Sequence, residues 1–341
     1  MFVRSRFALL IAVALFLCVL FLHQYAFPRQ DITTALRSPA DDAANTTIGF
    51  SQILALSQRP SWRTRGLSVA ANLTGLEVTI PPQPPIDDHL AEAFANIDSY
   101  LGDHDHPAPG ASKAWLAHLD LLKFIYQSNL KTALVIEDDV DWDVALKAQM
   151  GNISTAVRNL TKASETNSRP YGTWDVLWLG HCGERWNERL ETVIFDDAHV
   201  NPQSEYRGFW ADELALLPDQ KRAVYYSSSP VCTFAYAVSH EGAGKILHFA
   251  GAAQDEAFDV KLQHECQRGR LTCVSVVPEV FHQYFPPPEF DVKSDVDVGN
   301  QKGEPEEEGT KEFEGVMGST ENIVVSARCQ ALWGSRCPRT Y

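Results

Sequence analysis

The stretch Ala133–Asp143 (ALVIEDDVDWD) limits the chain most. Four apolar residues run straight into Glu137-Asp138-Asp139, and Asp141 and Asp143 follow within four residues. A short apolar run closed this abruptly reads as a buried strand that ends where its carboxylates begin. In an open α/β sheet, ligands gather in the crevice at the C-terminal ends of strands. Side chains two apart in extended chain point the same way, which puts Glu137 with Asp139 and turns Asp138 aside. Like charges this close repel unless a cation or proton lies between them. Hard oxygen ligands suit Mn²⁺ or Mg²⁺. A metal held by one or two carboxylates and completed by diphosphate oxygens would stabilise a departing diphosphate as a Lewis acid. Asp139 is the first expected metal ligand, with Glu137 or Asp138 touching metal or ribose. The competing reading is a solvated acidic loop after a buried strand.

Other elements frame this one. Residues 50–56 (FSQILAL) and Val78–Pro85 (VTIPPQPP) contain short strand candidates, and Arg59, Arg63 and Arg65 follow the first. A guanidinium fork matches phosphate oxygens, so Arg59 and Arg63 are candidates to neutralise a diphosphate. Ser112–Ser128 reads as a helix capped by Ser112, with Trp115, Leu119, Leu122 and Tyr126 along one face. Trp174–Leu179, Val231–Val238 and Leu271–Val277 are further strands, and a helix from about Glu241 to Phe249 follows the second. Strands alternating with helices predict an α/β sheet with parallel members.

The N-terminus sets the expected compartment. Phe7–Leu22 is an unbroken apolar run preceded by Arg4 and Arg6, with His23, Gln24 and Tyr25 where a cleavage site would need small residues. This predicts a type II signal anchor with the remaining chain luminal, a cleaved signal peptide being the alternative. The sequons at Asn45, Asn72, Asn152 and Asn159 agree with a luminal domain. So do six cysteines beyond Cys18: Cys182, Cys232, Cys266, Cys273, Cys329 and Cys337. Cys266/Cys273 and Cys329/Cys337 are near neighbours and candidate pairs, free buried thiols being the alternative. The absence of C-x-x-C spacing argues against zinc. Lys plus Arg number 29 against 44 Asp plus Glu, a net charge of −15. Such a chain has no general electrostatic attraction to nucleic acid. The expected division is 1–22 cytosolic tip and anchor, 23–48 stem, 49–288 catalytic domain, 289–321 acidic mobile segment, and 322–341 a cysteine-containing end that packs back on the core.

The segment from Pro109 to Val140 (PGASKAWLAHLDLLKFIYQSNLKTALVIEDDV) resembles glycosyltransferase family 25, which includes lipopolysaccharide and collagen galactosyltransferases. The shared features are a small-residue turn, a helix carrying a histidine, and a strand ending in Glu-Asp-Asp-Val. ILALSQRPSWRTRG resembles the family's opening strand and Arg-rich turn. WDVLWLG and VCTFAYAVSHEGAGKIL resemble its later core, so the likeness spans roughly residues 50–285. Ala117-His118 stands where the family carries Ser-His, and Arg59 and Arg63 keep part of its arginine pattern. The resemblance implies a luminal member of GT-A type: a nucleotide-binding sheet with flanking helices and an acceptor half. It also implies inverting transfer of a hexose, galactose or glucose, from a UDP-sugar to a glycan or glycoprotein; the anchor and sequons put that transfer in the Golgi or ER, at a single-pass type II membrane protein.

Such a transfer needs a base for the acceptor hydroxyl. Asp259 is the first candidate and Asp255 the second, with Glu256 beside them, because the family carries an acidic residue near the acceptor after this helix. His282, beyond the last expected strand, is placed as a late metal ligand. His118 lies at the edge of an apolar face, where a satisfied core histidine is the simpler reading. Trp186 and Trp210 read as core. The competing functions are a metal-dependent hydrolase, recruiting His104 and His106, and a non-catalytic relative of the same fold.

Overall fold

The computed structural model describes residues 38–97, 105–302 and 313–338. The expected anchor at 7–22 lies outside the described residues, as does His104. Among the described residues no helix is long and apolar enough to cross a membrane.

The described strands are β1 (Gln52–Leu56), β2 (Val78–Thr79), β3 (Thr132–Glu137), β4 (Val140–Trp142), β5 (Val176–Gly180), β6 (Thr192–Asp196), β7 (Lys221–Tyr226), β8 (Ala235–Ser239), β9 (Cys273–Val277), β10 (Phe281–Phe285) and β11 (Ser319–Thr320). Eight of them form one sheet in the order β2-β1-β3-β8-β5-β9-β7-β6, and β11-β10-β4 form a second. In the large sheet β2, β1, β3, β5, β9 and β6 share one direction, while β8 and β7 run the other way.

Both faces of β3 are covered, which is why its sequence is continuously apolar. Leu134 and Ile136 pack with Met150, Ile153 and Val157 of the helix Leu146–Leu160. Ala133 and Val135 pack on the opposite side with Trp115, Leu119 and Leu122 of the helix Pro109–Gln127. The result is helix, sheet, helix in three layers.

Several expectations need correction. The Pro109–Gln127 helix starts before Ser112, because Pro109 sits in its first turn; Ser112 is buried and hydrogen-bonds to the Pro107 carbonyl. Tyr126 leaves the buried face and stacks on His240, while Ile125 is buried instead. The expected strand Val231–Val238 begins only at Ala235, and it is antiparallel to both β3 and β5. A disulfide between Cys182 and Cys232 returns the preceding loop to the edge where β5 ends, so β8 enters the sheet from that edge. Cys266–Cys273 and Cys329–Cys337 are the other two disulfides. The expected stem at 38–48 joins the folded domain: Ala43 and Ile48 are fully buried, and the Tyr171 hydroxyl donates to the Ile48 carbonyl.

The segment 289–321 is no simple mobile tail, although 303–312 lie outside the described residues. The short helix Asp295–Gly299 packs so tightly on the start of the Pro109–Gln127 helix that only glycine fits at 110, whose added Cβ would lie 2.1 Å from the Val296 carbonyl oxygen. Beyond it, the helix Ala327–Trp333 packs on the helix Trp62–Thr74. Asp141 and Asp143 explain that return. Asp141 accepts from the Ser326 hydroxyl and the Arg328 N–H, and Asp143 from the Val325 N–H at 2.8 Å. The two outer aspartates of the acidic stretch therefore anchor the C-terminal segment.

Candidate active site

The connections from β1 to β2 and from β2 to β3 place β1 between its two successors, so the chain leaves β1 toward one side and returns on the other. A crevice opens at such a switch point, outside the C-terminal strand ends. Here it is a cleft of about 890 Å³, lined by Ser57–Pro60 after β1, Ile80–Gln83 after β2, the first turns of the Trp62–Thr74 helix, Tyr284, Phe313 and Arg328. None of Glu137, Asp138 and Asp139 lines it, but the acidic turn after β3 contacts two residues of its wall, Ser57 and Arg328. Ser57, in the cleft wall, donates its hydroxyl to Asp138 Oδ2 at 2.5 Å.

Extended geometry stops at Glu137, and Asp138-Asp139 form a turn, so the expected alternation does not hold. The three carboxylates splay instead. Glu137 accepts from the Thr233 hydroxyl at 3.0 Å, Asp138 from Ser57, and Asp139 Oδ2 from the Gln283 amide at 2.9 Å. They still crowd one another. Burial, then the neighbouring Asp139 charge, lifts Glu137 to about 8, and the same two causes in the same order lift Asp138 to about 7. Asp139 is 8% exposed, and its Oδ1 is buried without a hydrogen-bond partner. Such an orphaned acceptor beside two strained carboxylates fits a divalent cation. Among the described residues no group of three or more His, Cys, Asp or Glu side chains could hold a metal by itself.

The arginines divide. Arg59 is exposed and lines the cleft. Arg63 is buried and faces carboxylates: Nε lies 3.9 Å from Asp139 Oδ2, and Nη1 lies 3.4 Å from Asp295 Oδ1. Its charge is placed against the acidic turn. Arg328 was not expected here at all. It is 1% exposed, lies over the Tyr284 and Trp62 rings, and donates to the carbonyls of Arg63 (3.1 Å) and Asp138 (3.3 Å). It holds the turn from beneath. Nothing in its local sequence marks it, since its position depends on the packing of two helices far apart in the chain.

On the β8 side, Asp259 opens the helix Phe258–Gln267 and accepts from the Cys232 backbone N–H at 2.7 Å. It is close enough to Glu137 for its charge to add to the rise in that group's pKa. Asp255 is engaged elsewhere, with His264 at 3.0 Å and Lys261 at 3.7 Å, and Glu256 is exposed. Of the three expected acids, only Asp259 is brought to the acidic turn by these contacts. His118, read as a core residue, reaches the site: Nε2 lies 3.2 Å from Thr233 Oγ1 and 4.0 Å from Glu137 Oε1.

His282 belongs to another network. Its Nδ1 lies 2.8 Å from Glu279, and its Nε2 lies 3.6 Å from Glu321. Burial alone would lower its pKa, but the hydrogen bonds and charges of these carboxylates overcome that and raise it to about 9. Both ring nitrogens therefore face carboxylates of this network, and among the described residues no hydrogen bond or ion pair joins His282 to the carboxylates of the acidic turn. Trp186 is core, packed with Tyr206 and Tyr225. Trp210 is half-buried beneath the Arg185 guanidinium, and His106 is exposed. A scan against models of known protein families gives no match for this chain, and a search of curated proteins gives none either.

Proposed function

We propose that the protein is a metal-dependent glycosyltransferase that moves a hexose, galactose or glucose, from a UDP-sugar to a glycan or glycoprotein acceptor. The observation that carries this reading is the buried, unpartnered Asp139 Oδ1 in a carboxylate turn tied through Ser57 to the wall of a cleft at the β1 switch point. The resemblance of Pro109–Val140 to glycosyltransferase family 25 supplies the GT-A type, the inverting course and the donor class. Mn²⁺ or Mg²⁺, when bound, would supply Lewis-acid stabilisation of the departing diphosphate. Asp139 would hold it, with Glu137 and Asp138 as the neighbouring carboxylates.

The chain's own groups have separate tasks. Arg59 in the cleft wall attracts the diphosphate. Arg63 and Arg328 keep the acidic turn in shape before any ligand arrives. Asp259 takes the proton from the acceptor hydroxyl as the sugar carbon is attacked. An N-terminal anchor and sequon-bearing luminal domain would place this chemistry in the Golgi or ER. Asn72, Asn152 and Asn159 are exposed, as glycan acceptors must be.

The test is a donor screen on the purified luminal domain. UDP-galactose and UDP-glucose are each incubated with and without Mn²⁺, and released UDP and transferred sugar are measured. The reading expects metal-dependent turnover of one donor. A hydrolase acting on other substrates, or a non-catalytic relative, would turn over neither.

A further inference from the structure

The hydrogen bonds behind Glu137 run in one direction. When Glu137 is ionised, above its raised pKa or with a cation at the turn, it only accepts, so the Thr233 hydroxyl, 3.0 Å from Glu137 Oε1, gives its proton there. Its oxygen is then free to accept from its other neighbour, His118 Nε2 at 3.2 Å. That puts the ring hydrogen on Nε2 and leaves Nδ1 to accept from the Tyr236 hydroxyl, also at 3.2 Å. His118 is buried and stacked on Phe258 at 4.7 Å, and Tyr236 is fully enclosed. Burial pushes the ring down to about 3, so it stays neutral, and holds the Tyr236 hydroxyl well above its ordinary pKa. A chain ending in an enclosed tyrosine leads no proton to solvent. What it does is aim one hydroxyl.

The same loop holds a second carboxylate. Cys232, one residue before Thr233, donates its backbone N–H to Asp259 Oδ2 at 2.7 Å. Cys232 has φ +66° and is tied to Cys182 by a disulfide. Consecutive residues of one anchored loop thus hold Glu137 from β3 and Asp259 from a distant helix.

We propose that Thr233, aligned by the His118–Tyr236 chain and anchored through the Cys182–Cys232 disulfide, is a positioning residue that fixes Glu137 for donor binding and sets it against Asp259. The proposal rests on the glycosyltransferase reading for what Glu137 does, but not for the hydrogen-bond chain itself.

The experiment has two arms. In the first, UDP affinity in the presence of Mn²⁺ is measured for the wild type, Thr233→Val and Thr233→Ser. Loss of a hydrogen bond to a charged group is worth about tenfold or more in affinity. Thr233→Val is therefore expected to weaken binding by about that factor, and Thr233→Ser to restore it to within about twofold. A merely structural role would shift the Tm of both variants without this split. In the second arm, ¹⁵N NMR of the His118 ring in the wild type, recorded above pH 8 where Glu137 is ionised, is expected to show the neutral tautomer with hydrogen on Nε2. Wild-type affinity in Thr233→Val, or hydrogen on Nδ1 of His118, overturns the proposal. If the wild type binds no UDP with Mn²⁺, the donor role of Glu137 fails with the functional reading, while the ring spectrum still decides the chain. The spectrum needs no variant, so it holds even if Thr233→Val does not fold.

Discussion

Ser57 and Asp138 lie 81 residues apart in sequence, yet the serine hydroxyl donates to the aspartate carboxylate across 2.5 Å. This bond ties the end of β1 to the end of β3 at the mouth of the cleft. Burial and the neighbouring Asp139 already strain Asp138, so the hydroxyl offsets part of that penalty. Ser57→Ala is expected to cost ~1–2 kcal/mol of stability, because it leaves a sunken carboxylate short of a donor. Urea unfolding at pH 7 checks this; an unchanged midpoint would show that Asp138 finds water instead.

Gly66 faces the Arg328 guanidinium, and an added Cβ would stand 2.5 Å from its central carbon. Arg328 has little room to withdraw, since rings and backbone carbonyls hold it on several sides. Gly66→Ala should destabilise the fold by ~1–3 kcal/mol. It should also weaken UDP binding through the displaced acidic turn. Equal Tm and UDP affinity in wild type and variant would contradict both expectations.

The parts of this site differ in how far local sequence discloses them. The apolar run ending in Glu137-Asp138-Asp139 announces both β3 and the acidic turn, because burial on two faces demands continuous apolar residues and the carboxylates must lie at the rim. Cys266–Cys273 and Cys329–Cys337 are close enough in sequence to suggest themselves, whereas Cys182 and Cys232 are 50 residues apart. Apolar patterning carries no strand direction, so the reversal of β8 was hidden. It depends on where a disulfide-bound loop delivers the chain. Arg328 and Thr233 gain their roles only from packing between distant segments. The division of the five acids followed the same rule: Asp141 and Asp143 look like their neighbours, but they face the C-terminal segment rather than the cleft.

Asp259 is the candidate base. Asp259→Asn keeps an acceptor for the Cys232 N–H but cannot take a proton. Sugar transfer should fall by roughly 10²–10⁴, with UDP affinity in the presence of Mn²⁺ unchanged. Transfer kinetics and binding measured on the same preparation separate the two. Near-normal transfer would move the base elsewhere.

His282 makes stability depend on pH. Its pKa in the folded protein is about 9 against an ordinary 6.5. A raised histidine contributes stability that is complete below pH 6.5 and is lost as pH rises through 9. A shift of that size corresponds to about 3 kcal/mol. His282→Gln should therefore lower stability near pH 6 and flatten its decline toward pH 9. Denaturation midpoints of both proteins at those two pH values test this, and a decline of the same slope in the variant would contradict it.

Everything proposed for the reaction depends on a cation at Asp139. The most direct measurement is calorimetric titration of UDP into the wild type and Asp139→Asn, each with and without Mn²⁺. The account predicts UDP binding by the wild type only when Mn²⁺ is present, and none by Asp139→Asn in a protein that keeps its fold. Metal-independent binding of equal strength, or wild-type affinity in the variant, would contradict it.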